Sequence, residues 1–277
     1  MTIGITGVTG KLGSYTARVI ADADIPSIHL ARTPARAEPY ERAEIRQASY
    51  ENTPATVAAL TGVDVLLMVS ARENPRRAEE HGAFVDAAKA AGVRHIVYTS
   101  FYGASEQATF TLSHDHARTE RHIREAGLAY TFLRDNFYLD FFVDMCVNDG
   151  EIRGPAGAGR VSAVARRDSA AVAAAILMDL QVWEDRVLNL TGPEDLTMGE
   201  IARAVSQSTG TEASFHDETI EEAYASRLRW PAEQWQYDAW VSTYTAIRAG
   251  EQEGVSTDVE RVLGRPATSL RDLLEEC

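Results

Sequence analysis

Thr2-Ile3-Gly4-Ile5-Thr6-Gly7-Val8-Thr9-Gly10-Lys11-Leu12-Gly13 opens the chain, and its reading decides the fold. Thr2–Thr6 has the β-branched character of a short strand, and Lys11–Ala21 carries a helical pattern. Gly7, Gly10 and Gly13 fall between them at a spacing of three. A tight turn, a backbone that touches a pyrophosphate, and a helix packed close on its strand each call for a residue without a side chain. The helix start then offers free N–H groups and a positive dipole end to phosphates. Thr9 and Lys11 can add a hydroxyl and a charge. A glycine turn can be purely structural. Strand before and helix after make a dinucleotide site the expectation, built from Gly7, Thr9, Gly10, Lys11, Leu12 and Gly13.

Working outward, strand and helix patterns alternate. Ser27–Ala31, Ile45–Gln47, Val63–Val69, His95–Thr99 and Ala129–Leu133 read as strands. Pro34–Arg42, Pro54–Leu60, Pro75–Ala91 and Ser113–Ala126 read as helices. Apolar strands alternating with helices predict a Rossmann α/β fold, a doubly wound parallel sheet covered by helices on both faces. The second half is less regular. Gly150–Gly159 reads as a loop, Asp168–Leu180 as a helix and Arg186–Leu190 as a strand. Met198–Thr209 reads as a helix between a Thr197 cap and a Gly210 stop, and Ile220–Gly250 as a helical stretch. That last stretch carries Trp230, Trp235 and Trp240, for which core packing is the default. The expected organisation is a dinucleotide-binding domain over 1–150, with returning segments from about 160–192, and a smaller, mainly helical substrate lobe over 193–277.

The 277 residues are 45% hydrophobic and 25% charged, enough for a full core. A net charge of −14 disfavours nucleic acid and anionic lipid as partners. Cys146 and Cys277 form neither a metal motif nor a disulfide framework, so no metal is expected and two free thiols suit a reducing cytoplasm. No leader and no run of ~20 apolar residues is visible, so no membrane association is expected. A homodimer is possible.

An NAD site usually places an acid at the end of the second strand to hold the ribose 2′-hydroxyl. Here Arg32 stands there, with Arg36 one helical turn on. A guanidinium grips a phosphate through two parallel bonds, so NADP(H) is the expected cofactor. The alternative is a pair of solvated loop arginines. In doubly wound sheets ligands lie along the carboxyl ends of the strands. Those ends supply Ser70, Thr99, Ser100, Asn136 and Phe137 as candidates around the nicotinamide. The aromatics Phe101, Tyr102, Phe110, Tyr138, Phe141 and Phe142 suit a flat aromatic or quinone substrate, or else ordinary core.

The chain as a whole resembles the NmrA-like branch of the atypical short-chain dehydrogenases, near its type 2 NAD(P)H:quinone oxidoreductases and triphenylmethane dye reductases. The resemblance rests on the Gly7–Gly13 loop, Ala87-Ala88-Lys89-Ala90-Ala91-Gly92-Val93, Tyr98-Thr99-Ser100, His116-Ala117-Arg118-Thr119-Glu120, and Arg134-Asp135-Asn136-Phe137-Tyr138 with the residues before it. It implies that Ser100 sits where these enzymes often place a substrate-contacting hydroxyl. It also implies that His116 takes the place of a lysine kept by isoflavone-reductase relatives, where a histidine near neutral pKa could hand over a proton. The Tyr-x-x-x-Lys pair of standard short-chain dehydrogenases is absent: the only lysines are Lys11 and Lys89, and Val85 lies four before Lys89. His116, Ser100 and Asn136 are therefore the catalytic candidates. An NADPH-dependent, flavin-free reductase of a quinone or similar aromatic acceptor is expected, with a non-catalytic NADP(H) redox sensor as the alternative.

Overall fold

Strands whose residues are apolar on both sides have no face to give to water, and the structure buries those of the first half almost entirely. In the computed structural model, which describes residues 1–275, the strands of the large sheet are β1 (Ile3–Thr6), β2 (Ser27–Ala31), β3 (Ala43–Gln47), β4 (Val65–Met68), β5 (His95–Phe101) and β6 (Ala129–Asp135). Two short strands follow, β7 (Glu151–Gly154) and β8 (Arg160–Val161), before β9 (Arg186–Leu190) completes the large sheet. Its order is β3-β2-β1-β4-β5-β6-β9, and every neighbouring pair is parallel. The chain turns outward in both directions from β1 and β4, which places the switch point beside the glycine loop.

The helices of this part are α1 (Lys11–Asp22), α2 (Pro54–Leu60), α3 (Arg77–Ala90), α4 (Ser113–Glu125), α5 (Leu139–Asp149) and α6 (Arg166–Met178). Alternation along each strand divides the core between two faces. Val65 and Leu67 join Ala17 of α1 and Val172 of α6 on one face. Leu66 and Met68 join Leu60 of α2, Phe84 of α3 and Ile123 of α4 on the other.

Beyond β9 come β10 (Leu196–Thr197), α7 (Met198–Thr209), β11 (Ser214–Asp217), α8 (Ile220–Arg227), α9 (Gln234–Arg248), α10 (Asp258–Leu263) and α11 (Leu270–Leu274). β11 pairs with β7 and β10 with β8, and a separate core gathers Phe142, Ile152, Ile201, Val205 and Ile247. α10 returns to the large sheet through Val259. Among the described residues no helix is long and apolar enough to cross a membrane. Cys146 is buried and its thiol is pushed up to about 11 by desolvation; Cys277 lies outside the described residues.

Two expectations need correction, and two elements need refinement. Pro34–Arg42 holds only a single 3-10 turn, Pro34–Arg36, because Pro39 disfavours helical backbone at the residue before it. Gly150–Gly159 is not all loop: it contains β7, and a side chain at Gly154 would overlap the Tyr244 ring. These glycines let α9 lie close on β7. The stretch 220–250 is helical as expected, in two helices separated around Pro231, which has no N–H to donate. α5 is an addition, a helix apolar around most of its circumference whose periodicity is correspondingly faint.

Candidate active site

The glycine loop assigns each glycine a different duty. Gly7 has φ +67°, and a Cβ there would meet Val69 Cβ at 2.8 Å. A Cβ on Gly13 would lie 2.5 Å from Gly7 C and 2.7 Å from Thr6 O, so α1 could not approach β1. Gly10 differs. Its backbone is ordinary extended chain, and a Cβ would meet only Gly7 O, at 3.4 Å. Nothing in the protein requires glycine at 10. The missing side chain leaves room for something outside it.

Gly10 caps α1 without a side-chain bond, whereas Thr197 and Thr219 close full capping boxes on α7 and α8. The first-turn amides of α1 are thus left to an anion. A cavity of about 1160 Å³ begins here and is lined by Gly7, Thr9, Gly10, Lys11, Leu12 and Gly13. At its far end stand Arg32 and Arg36. Among the described residues neither guanidinium has a carboxylate partner, on a chain of net charge −14. Lys11 Nζ lies 3.6 Å from Asp144 Oδ2, both exposed. Open space at Gly10, an uncapped helix start and two unpaired arginines fit a phosphorylated dinucleotide. Arg72 and Arg76 line the same cavity and were not anticipated; the position of Arg72, two residues past Ser70 at a strand end, is the signal that could have found it.

Lys11, Leu12, Val69 and Ser70 also line a second cavity of about 860 Å³, so the two are one cleft along the strand ends. Ser70 Oγ is buried there without a hydrogen-bond partner, while Ser70 N–H donates to Thr99 Oγ1 at 2.8 Å. Phe137 meets Phe101 and Phe110 edge-on, each at 5.0 Å between centroids. α9 covers this aromatic chamber with Ala239, Trp240 and Thr243. Trp240, Thr243 and Phe141 also border a further recess of about 420 Å³. Trp230 stands in that recess, 46% exposed, with the Arg229 guanidinium 3.9 Å over its ring. Core packing, the expectation for the tryptophans, does not describe Trp230.

His116 lines the chamber, and a chain of hydrogen bonds sets its tautomer. The Ala71 N–H donates to His81 Nε2 at 2.9 Å, so that nitrogen is unprotonated. Burial, helped by Arg77, lowers the His81 pKa from 6.5 to about 3, so the ring is neutral and its proton sits on Nδ1. Nδ1–H donates to Thr119 Oγ1 at 2.8 Å, and Thr119 passes its own proton to Asp115 O. The Tyr98 hydroxyl lies 3.4 Å from His81 Nδ1 and 2.9 Å from His116 Nδ1. Since His81 Nδ1 already holds a proton, Tyr98 donates to His116 Nδ1. His116 therefore carries its proton on Nε2. Burial, then Arg77 and His81, drive its pKa well below 6.5. The near-neutral pKa expected of His116 is not found: it is a neutral N–H donor, not an imidazolium acid, because burial and the neighbouring Arg77 disfavour a second positive charge.

Ser100 donates to Glu120 Oε1 at 2.6 Å, and Glu120 is clasped by Arg134 at 2.8 and 2.7 Å. The Ser100 proton is thus committed, leaving its lone pairs for the chamber. Asn136 spends its amide on the scaffold: Nδ2 donates to Ser162 Oγ and Gln252 O, and Oδ1 accepts from Phe137 N–H. It braces the wall that holds Phe137.

A family model described as the NmrA-like family matches residues 1–268. Quinone oxidoreductase 2 of Escherichia coli (strain K12) is 28% identical over 98% of this chain and 96% of that protein. The crystal structure of the Escherichia coli NADPH-dependent quinone oxidoreductase QOR2 complexed with NADPH superposes with a TM-score of 0.90, covering 99% of each chain at 28% identity. That of Citrobacter sp. triphenylmethane reductase complexed with NADP(H) gives 0.87 over 100% of this chain and 99% of the other, at 30% identity. The glycine cradle, the sheet order and a family match across nearly the whole length agree, and the chain belongs to the NmrA-like family.

Proposed function

We propose that the chain reduces quinones or similar flat aromatic acceptors with NADPH and without a flavin. It is an NAD(P)H-dependent oxidoreductase, as relatives that are quinone, azo and dye reductases imply. The observation that carries the finer reading is the single cleft, which joins the Gly10 opening and the Arg32/Arg36 pair to an aromatic chamber lined by His116.

When bound, reduced NADP supplies a hydride. The residues then have separate tasks. Arg32 and Arg36 bind the 2′-phosphate, and the α1 amides with Thr9 bind the pyrophosphate. Ser70, Thr99 and Phe137 border the nicotinamide end. Phe101, Phe110 and Phe137 orient a flat ring and exclude water. His116 Nε2–H hydrogen-bonds the acceptor oxygen as negative charge grows on it, in a buried site where such a bond is strong. An electron-poor quinone needs mostly positioning, which explains how the site dispenses with a Tyr-x-x-x-Lys pair. The further recess beside Trp240 favours acceptors larger than one ring.

The test is NADPH oxidation by flavin-free protein with a panel of quinones, azo dyes and triarylmethane dyes. Turnover on quinones supports the reading. Tight NADPH binding with no oxidation of any acceptor replaces it with the redox sensor.

A further inference from the structure

Asp135 closes β6 in the wall of the aromatic chamber and is 4% exposed. Its Oδ2 accepts the Tyr138 hydroxyl at 2.6 Å, while its Oδ1 is buried and completes no hydrogen bond. No arginine or lysine pairs with it among the described residues. A carboxylate with one partner, no counter-ion and little solvent is a costly charge, yet it lines the chamber.

We infer that Asp135 and Tyr138 together are the proton source of the reaction, Tyr138 as the catalytic donor that touches the acceptor and Asp135 as the reservoir behind it. The inference rests on the reductase reading above. Tyr138 also lines the chamber, and the 2.6 Å bond makes its donor capacity depend on Asp135. With Asp135 ionised, the carboxylate holds the Tyr138 proton. With Asp135 protonated, the carboxyl donates to Tyr138 Oη, and the phenol proton is free to face the acceptor. As the quinone takes the hydride, its oxygen takes the Tyr138 proton and Tyr138 takes the proton of Asp135. The products are quinol, oxidised NADP and the Asp135 carboxylate, which solvent reprotonates before the next turnover. Neutral His116 can stabilise the oxygen but is too weak an acid to supply that proton at neutral pH.

The surroundings suit a carboxyl poised to exchange its proton. Burial raises Asp135 from the usual 3.8 to about 7, more than the hydrogen bond from Tyr138 lowers it. Tyr138 itself is raised well above 10 by burial and by Asp135. Arg166 lies 4.9 Å from the Tyr138 ring centre and is engaged by Asp140. On α6, Asp168 is paired with Arg265. Glu120 and Arg134 pair on the opposite face of β6, and the strand neighbours of Asp135 are Phe101 and Leu190.

Two acceptors separate proton supply from everything else. A quinone consumes a hydride and a proton, whereas a cationic triarylmethane dye consumes a hydride alone. The expected result for Asp135→Asn and Tyr138→Phe is a roughly 10²-fold fall in quinone kcat, with dye kcat and NADPH affinity by calorimetry unchanged. Wild-type quinone kcat should be level at acid pH and fall above about 7, and that step should vanish in both variants. In the protein without cofactor, infrared difference spectra should show a carboxylic-acid band that titrates near the same pH and is absent from Asp135→Asn. Equal losses on quinone and dye, weakened NADPH binding in Asp135→Asn, or no such band would overturn the inference. A wild type that reduces no acceptor removes the reductase reading itself, and the inference with it.

Discussion

Gly10 and Gly13 should fail in opposite ways when given a side chain. At Gly13 the added Cβ overlaps Gly7 C at 2.5 Å and Thr6 O at 2.7 Å. These are backbone atoms at the end of β1, so relief requires α1 to lift off the sheet. Such overpacking costs about 1–3 kcal/mol, or a fall in melting temperature of about 2–12 °C for a chain of this size. At Gly10 the only neighbour is Gly7 O at 3.4 Å. The backbone there, φ −107° and ψ 168°, is one valine adopts readily, so Gly10→Val should cost about 1 kcal/mol or less. Its methyl groups would occupy the space reserved for the pyrophosphate, weakening NADPH by roughly 10²-fold, about 2.7 kcal/mol. Thermal melting and titration calorimetry on Gly13→Ala and Gly10→Val give the four numbers required. Wild-type NADPH affinity in a natively folded Gly10→Val would refute the assignment of this loop as the phosphate cradle.

Arg32→Asp should weaken NADPH by about 1–3 kcal/mol and leave NADH nearly untouched; equal losses for both cofactors, measured by calorimetry, would remove the 2′-phosphate contact. His116→Ala should lower kcat by roughly 10-fold or more with unchanged NADPH affinity, and Tyr98→Phe should lower it less, because it frees the tautomer but keeps the ring; steady-state kinetics with a quinone reads both. Stability should fall on acidification: His81 at about 3, His95 at about 4, His29 and His116 are all lowered from 6.5 by burial. They are buried neutral, so the stability they lend is complete above pH 6.5 and is lost below it, at about 1.4 kcal/mol per pH unit for each fully shifted ring. Asp135, raised to about 7, acts the other way, since its neutral form is the favoured one and its contribution grows as pH falls from 7 towards 3.8. Glu73, also raised by burial, acts in the same sense. Two carboxyls against four imidazoles leave the histidines dominant, and urea titrations should give a lower midpoint at about pH 5 than at about pH 7.

The strand–helix alternation of the first half was legible because a parallel sheet buries both faces of each strand and so writes them as short apolar runs. Ser27–Ala31, Pro54–Leu60 and Arg186–Leu190 have the bounds their sequences suggest. α5 was hard to read, because its polar side is the narrow row Asp140, Asp144 and Asn148 and apolar residues, among them the exposed Phe141 and Val147, fill most of the remaining circumference. At the candidate site, the glycine spacing and the Arg32 position could be read because both are local. The tautomer of His116 could not, since it is set by His81 on α3 and Tyr98 on β5. Likewise Asp135 stood in plain view at a strand end, but that it lacks a counter-ion is a property of the packing of α6, β5 and β9 around it. Ser100 and Asn136 were found for their position; what their atoms are bonded to depends on Glu120, Ser162 and Gln252, elsewhere in the chain.

The central claim is that one cleft delivers hydride from NADPH to a flat acceptor with no second redox group. The most direct measurement mixes purified protein, free of any flavin absorbance, with NADPH and a simple quinone, and follows nicotinamide oxidation and quinol formation together. The account predicts that both proceed at the same catalytic rate, mole for mole, and that added flavin changes neither. Saturating NADPH binding with no quinol formed, or turnover that appears only when flavin is supplied, would contradict it.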